Sequence, residues 1–232
     1  MTKIEFLEAI TKAKAPHSTD VITLIPGETS KYFIKQLAEK YEIDFQSLYR
    51  YYLKISPLKE GFLIPDSYYL NRQKNLNIFL KKLVHHAKRV HRRSIQKYSV
   101  ENFDQFKKIL VIASIIQKES ASKEEMKTIA SVIYNRLKKG MKLQMDGTLN
   151  YGLYSHTKIT AKRIREDSSE FNTYKIEGLP LTPICNPSLT AIISAIYPEQ
   201  SEYLYFVKMK NIKKHIFSKH YKTHLEEINK LR

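Results

Sequence analysis

The residue with the clearest chemical use is Glu119, near the end of the stretch "ILVIASIIQKES" at residues 109–120. Ile109, Ile112, Ala113 and Ile116 recur three or four positions apart, the spacing of a packed helix face, and Glu119 continues that row. A carboxylate among apolar side chains loses hydration, so the neutral form is favoured and the pKa rises. A carboxyl that keeps its proton near neutral pH can protonate a leaving oxygen. The competing reading is an ion pair, for which the chain offers 40 Lys and Arg.

Other chemistries are weaker. His220 and His224 lie four apart and could share a metal on a helix, but no H-E-x-x-H motif and no third ligand accompany them, so no metal is expected. His85, His86 and His91 fall in a basic run and read as solvated. Cys185 reads as a small loop residue, and as the only cysteine it has no disulfide partner in the chain. The chain lacks a phosphate loop, a G-x-G-x-x-G and a G-x-S-x-G, and no cofactor is expected. Its carboxylates do not form a recognisable two-carboxylate glycosidase pair. If Glu119 acts on a glycosidic bond, it acts as the only catalytic carboxylate.

The elements that must position Glu119 are legible as patterns. Residues 104–121 read as its helix. Ser122 and Glu125 have capping-box spacing, so a second helix is expected from there to Gly140, making a tight corner beside Glu119. "MKLQMDGTLNYGLYSH" reads as a short strand and a turn through Asp146 and Gly147. A proline-rich loop precedes a helix over 188–196, "EYLYFVKMK" reads as a strand, and the chain ends in a helix. Upstream, Val21–Ile25 reads as a strand, a helix follows a cap at Thr29 or Ser30, a second helix spans Ile43 to Tyr52, and "EGFLIPDSYYL" is a strand bent at Pro65. "LNIFLKKLVHHAKRVHRRSIQKY" is an amphipathic helix whose Lys, Arg and His face reads as the solvated side of a connector, with a polyanion-facing strip as the alternative.

With 232 residues, of which 42% are hydrophobic, the chain can bury one large core or two small ones. The net charge of +17 implies attraction to polyanions: nucleic acid, an anionic membrane surface or an anionic wall polymer. The cations are spread along the chain and no nucleic-acid motif accompanies them, so nucleic acid is not expected as a partner. No apolar run is long enough to span a membrane, and Glu5 and Glu8 break the apolar start, which excludes a signal peptide there.

The stretch "ASIIQKESASKEEMKTIASVIYNRLKKGMKLQMDGTLNYG" resembles the signature of the endolytic murein transglycosylases, the YceG-like or MltG family. The likeness extends to "GLPLTPICNPS", "YLYFV" and "HIFSKHYKTH" and, upstream, to "IPGET" and "EGFLIPDSYYL", covering roughly residues 20–228. The resemblance implies an α+β fold: a small LysM-like strand-helix-helix-strand subdomain with its connecting helix over 20–95, after an N-terminal segment at 1–19, and a larger mixed catalytic domain over 96–232.

It further implies a lyase that cuts peptidoglycan glycan strands internally, between N-acetylmuramic acid and N-acetylglucosamine, leaving 1,6-anhydro ends. Glu119 would be the catalytic residue, with Ser114, Asn135, Gln144, Asp146, Tyr151 and Asn186 as candidates for holding the glycan. Four of these six have a plainer reading: Ser114 as a helix-interior hydroxyl bonded to backbone, Asp146 as the cap of the turn at Gly147, Tyr151 as packing and Asn186 as a stabiliser of its own turn. Arg136 could pair with a carboxylate. Two departures stand out: the family commonly has proline where this chain has Gly147 and Leu181, and both changes are expected to loosen a loop. The family also carries an N-terminal membrane helix, so this chain reads as an ectodomain on the periplasmic face of the inner membrane. Peptidoglycan strands are the expected partner, with peptidoglycan synthases beside them. The alternative is a non-catalytic peptidoglycan-binding module.

Overall fold

Strand β1, Thr19–Leu24, pairs antiparallel with β2, Asp66–Asn71, with Val21 opposite Tyr69 and Ile22 opposite Tyr68. These elements come from a computed structural model, which describes residues 19–71 and 75–231. The N-terminal segment read over 1–19 lies outside the described residues except for Thr19.

Between the two strands run helix α1, Ser30–Lys40, and helix α2, Phe45–Ile55. Each begins where a side chain takes over an orphan amide: Thr29 accepts from the N–H of Tyr32, and Asp44 from that of Ser47. Helix α3, Leu76–Lys97, closes over this strand-helix-helix-strand unit. Ile22 and Leu24, Phe33, Ile34 and Leu37, Leu48 and Tyr52, and Leu80 and Leu83 form one apolar cluster there. Strand β2 is shorter than expected. Residues 60–63 are buried, and their polar atoms bond to α1 and to Asn186 instead of a strand partner.

A second cluster is built round helix α4, Phe103–Glu119, capped by Asn102. Ile109 through Ile116 are all buried, so this helix is central rather than one-sided, and its neighbours cover every face. Helix α5, Met126–Lys138, and helix α7, Leu189–Ile196, pack against it; a short helix α6, Ala161–Glu166, lies between them in sequence. The expected capping box is absent. Glu125 occupies the N-cap of α5 without capping it. Its carboxylate instead accepts the backbone N–H of His215 at 2.6 Å and meets His215 Nδ1 at 3.0 Å, and this pulled the side chain off its own helix.

The strand expected near Met141–Asp146 is also absent. Two short 3-10 turns form there, Asp146–Leu149 and Gly152–Tyr154. The segment's amides are satisfied one at a time, Gln144 N–H by Thr173 O and Met145 N–H by Thr173 Oγ1, so no ladder develops. At the C-terminus β3, Tyr205–Lys208, pairs antiparallel with β4, His215–Ser218, a strand the patterning did not announce. Helix α8, Tyr221–Lys230, follows. No helix among the described residues is long and apolar enough to cross a membrane.

Asn186 joins the two clusters. Its backbone N–H and Nδ2 both donate to Glu28 O at 2.9 Å, and its Oδ1 accepts from Leu63 N at 3.0 Å and Ser30 Oγ at 3.2 Å. Buried amide groups this fully paired fix one arrangement of the chain segments they connect.

Candidate active site

Glu119 is the last residue of α4. The helix stops there because Ser120 turns extended, and both its N–H and its hydroxyl are satisfied by Ile116 O. The carboxyl therefore stands at a helix end, where it looks into a cleft of about 320 Å³. Its Oε1 accepts the N–H of Gly147 at 2.7 Å. Burial pushes its pKa from 4.5 up to about 7. The Gly147 N–H and the charge of Arg136 oppose that rise, while the negative charge of Asp146 adds to it. Near neutral pH the group is thus divided between acid and carboxylate.

Arg136, on α5, is not a mobile partner for this carboxyl. Its Nε donates to Leu204 O at 2.6 Å and its Nη1 to Leu143 O, so the guanidinium ties β3 to the 143–146 segment. Gln144 and Asp146 project from that segment into the cleft. Tyr174 donates to Asp146 Oδ1 at 2.6 Å, and burial with the adjacent Asp146 raises the phenol's pKa, so it remains a donor.

The wall across from Glu119 is aromatic. The Tyr205 ring has the Arg136 guanidinium 5.5 Å from its centre and the His224 imidazole stacked at 5.3 Å. Tyr221 leans on it at 5.6 Å, and Phe206 completes the lining. Burial, with the charge of Arg136, lowers the pKa of His224, which keeps the imidazole neutral near pH 7. Ring faces beside polar groups are the surface a sugar needs, with apolar C–H faces stacking and hydroxyls bonded at the edges.

Of the residues singled out in the sequence, Glu119, Gln144 and Asp146 meet in this cleft. Tyr151 lies in a neighbouring groove of about 600 Å³, stacked on Phe171 at 4.3 Å. Three others do not line the cleft. Ser114 is fully buried, donating to Val111 O and accepting from Ile184 N. Asn135 spends its amide on Ser201 O and Tyr203 O. Asn186 is fully buried in the joint between the clusters. A polar residue inside a motif looks the same whether it holds a substrate or a loop; only the fold separates the two.

Tyr174, Tyr205, Phe206, Tyr221 and His224 also line the cleft, and the sequence does not single them out for it. His224 stands out in the sequence only for its spacing from His220. The usable signal is that four of them, Tyr205, Phe206, Tyr221 and His224, fall within the motifs "YLYFV" and "HIFSKHYKTH". Among the described residues no group of three His, Cys, Asp or Glu gathers as a metal site.

Gly147 does more than loosen a loop. Its N–H is the donor to Glu119, a bond no proline could make. A Cβ there would sit 2.7 Å from Lys118 Cβ and 2.8 Å from Glu119 Oε1. Gly147→Ala is therefore expected to cost about 1–3 kcal/mol of stability by overpacking, read from urea unfolding. It should also swing the Glu119 carboxyl from its place.

A family model described as "YceG-like family" matches residues 1–230. The protein named endolytic murein transglycosylase in Bacillus subtilis is 34% identical over 169 residues, covering 71% of this chain and 46% of that protein. Its namesake in Streptococcus pneumoniae is 32% identical over 187 residues, covering 75% of this chain and 32% of that one. The chain thus spans less than half the length of these curated relatives. A crystal structure of a yceG-like protein from Listeria monocytogenes superposes with a TM-score of 0.77 at 28% identity, covering 100% of this chain and 82% of the other.

Proposed function

This chain belongs to the YceG-like family, and from that premise we propose that it is an endolytic peptidoglycan transglycosylase whose acid is Glu119. The observation that carries the proposal is one carboxyl, in a sugar-sized cleft with an aromatic wall, that is still about half protonated near pH 7.

In the proposed reaction Glu119 gives its proton to the oxygen linking N-acetylmuramic acid to N-acetylglucosamine, and the bond from that oxygen to the muramyl anomeric carbon breaks. The carboxylate left behind takes the proton of the muramyl 6-hydroxyl. The freed oxygen bonds to the anomeric carbon and closes the 1,6-anhydro ring. Atoms balance without water, and Glu119 ends protonated as it began. Gly147 N–H fixes one carboxyl oxygen and leaves the other for the substrate. Tyr205 and Tyr221 would carry a sugar face, and Gln144 would bond its edge. Cutting within strands would end their elongation, which implies work on the outer face of the cytoplasmic membrane beside peptidoglycan synthases.

A second buried carboxyl, Glu60, is also raised by burial to about 7, but its oxygens accept the amides of Ser30 and Lys31 at the start of α1 and that of its neighbour Gly61. That arrangement suits a fixed anion at a helix N-terminus rather than a proton donor.

The pH dependence tests the reading. An acid of pKa about 7 is active protonated, so kcat/KM should be level below pH 6 and fall about tenfold per pH unit above 8. A rate that instead rises through pH 7 to a plateau would mean that the carboxylate, not the acid, starts the reaction.

A further inference from the structure

Helix α3 carries seven Lys or Arg between Leu76 and Lys97 and no Asp or Glu, and no acidic residue occurs anywhere from 67 to 100. Its buried side is ordinary core: Leu80, Leu83, Val84 and Ala87. The opposite side is an ordered stripe. Ile78, Lys81, Lys82, His85, Arg89 and Arg92 are spaced to fall on one helix face, about 21 Å long, and all are exposed. A solvated connector needs charge for solubility, and ordinary helices mix signs to obtain it. One sign sustained over four turns repels itself unless an anionic surface faces it.

The stripe borders an apolar groove of about 690 Å³ between α3 and β2. Tyr68, Tyr69, Ile78 and Phe79 line it, Lys81, Lys82, His85 and Arg89 rim it, and Asp66 is its one carboxylate. Tyr69 is 75% exposed, Ile78 50%, and Val21, directly opposite Tyr69 in the ribbon, 56%. Duplex nucleic acid or an anionic polymer would use the cations but offers nothing apolar to cover the aliphatic Val21 and Ile78 at their edge. An anionic bilayer uses both: phosphates meet the cations, while Tyr and Ile enter the boundary between headgroups and acyl chains.

We infer that the α3 stripe and the adjoining Val21–Tyr69–Ile78 patch form a docking surface for an anionic phospholipid bilayer. Headgroup phosphates pair with Lys81, Lys82, Arg89 and Arg92, and the apolar groove accepts the outer ends of lipid chains. The inference is independent of the role given to Glu119.

Flotation of the full chain with phosphatidylglycerol vesicles, against phosphatidylcholine vesicles, tests it. The expected result is binding to phosphatidylglycerol alone, weakening as salt rises. K81E/K82E/R89E should weaken it by more than about 100-fold. An equal charge change at exposed sites elsewhere, K158E/K162E/K175E, should weaken it far less. Tyr69→Ser with Ile78→Ser should lower binding severalfold at every salt concentration; both side chains are exposed, so the fold is not at risk. Equal loss from the two triple variants would reduce the effect to net charge and overturn the proposal. Indifference to the Tyr69 and Ile78 changes, or displacement from vesicles by duplex DNA at physiological salt, would overturn it in favour of a plain polyanion site.

Discussion

Glu119→Gln is expected to reduce glycan cleavage by about 10⁴-fold, the upper range for a group that supplies both acid and base, while making the folded protein more stable above neutral pH. Glutamine has nearly the same volume and still accepts the Gly147 N–H, so the cleft keeps its shape. What disappears is a carboxyl whose charged form the fold disfavours. The folded pKa, about 7, lies above the unfolded value near 4.5. Below pH 4.5 the group is neutral in both states and costs nothing. Between 4.5 and 7 the unfolded chain ionises while the folded one resists, so stability drains away. Above 7 the full penalty applies, of the order of 1–3 kcal/mol given the carboxyl's partial exposure to the cleft. Glu119→Gln should therefore unfold at a higher temperature than the parent at pH 8, by several degrees, and at nearly the same temperature at pH 4. Equal midpoints at both pH values would mean that Glu119 carries no raised pKa.

Gly61→Ala is the substitution expected to cost the most stability for the fewest atoms added. Gly61 has φ +71°, where an added Cβ costs roughly 1–2 kcal/mol in any surroundings. Here the Cβ would also lie 2.3 Å from Pro183 Cβ and 2.9 Å from Cys185 O, and the second of these is backbone that cannot step aside. Overpacking adds about 1–3 kcal/mol, for a total of roughly 3 kcal/mol or more. Gly140→Ala is the control: φ is +65° with nothing within 4 Å, so only the backbone cost remains. Urea unfolding of the two variants separates the terms. A similar loss in both would mean that the joint between residues 60–63 and 183–186 is loosely packed. Because that joint holds the two apolar clusters in place, Gly61→Ala should also slow cleavage at temperatures where the variant is still folded.

The parts of this structure written in local patterns were legible beforehand. The apolar row ending in Glu119, the cap at Thr29 or Ser30, which is Thr29, the helix over 188–196 and the stop at Gly140 are contacts between residues a few positions apart, and each appears close to where spacing placed it. The errors share a cause. Glu125 had the spacing of a capping residue but went to His215, ninety positions away in the chain. The segment before the turn at Asp146 and Gly147 reads as a short strand but finds Thr173 and Arg136 rather than a neighbouring strand. β4 went unannounced because four residues beside a helix carry little pattern of their own. The aromatic wall was invisible for the same reason: Tyr205, Tyr221 and His224 are brought to Glu119 by the β3–β4 hairpin and α8, and no local spacing records that meeting. Ser114 and Asn186 lie buried outside the cleft, since motif membership marks importance without separating a ligand contact from a buried joint.

The central claim is that one carboxyl performs the whole cleavage without water. The most direct test is mass spectrometry of the products released from purified murein by the parent protein and by Glu119→Gln. Fragments ending in 1,6-anhydro-muramyl groups are expected from the parent and none from the variant. Reducing ends carrying the mass of an added water would contradict it, because a hydrolase needs a second group to activate that water. Absence of products from the parent, with binding to murein retained, would contradict it as well and leave a peptidoglycan-binding module in its place.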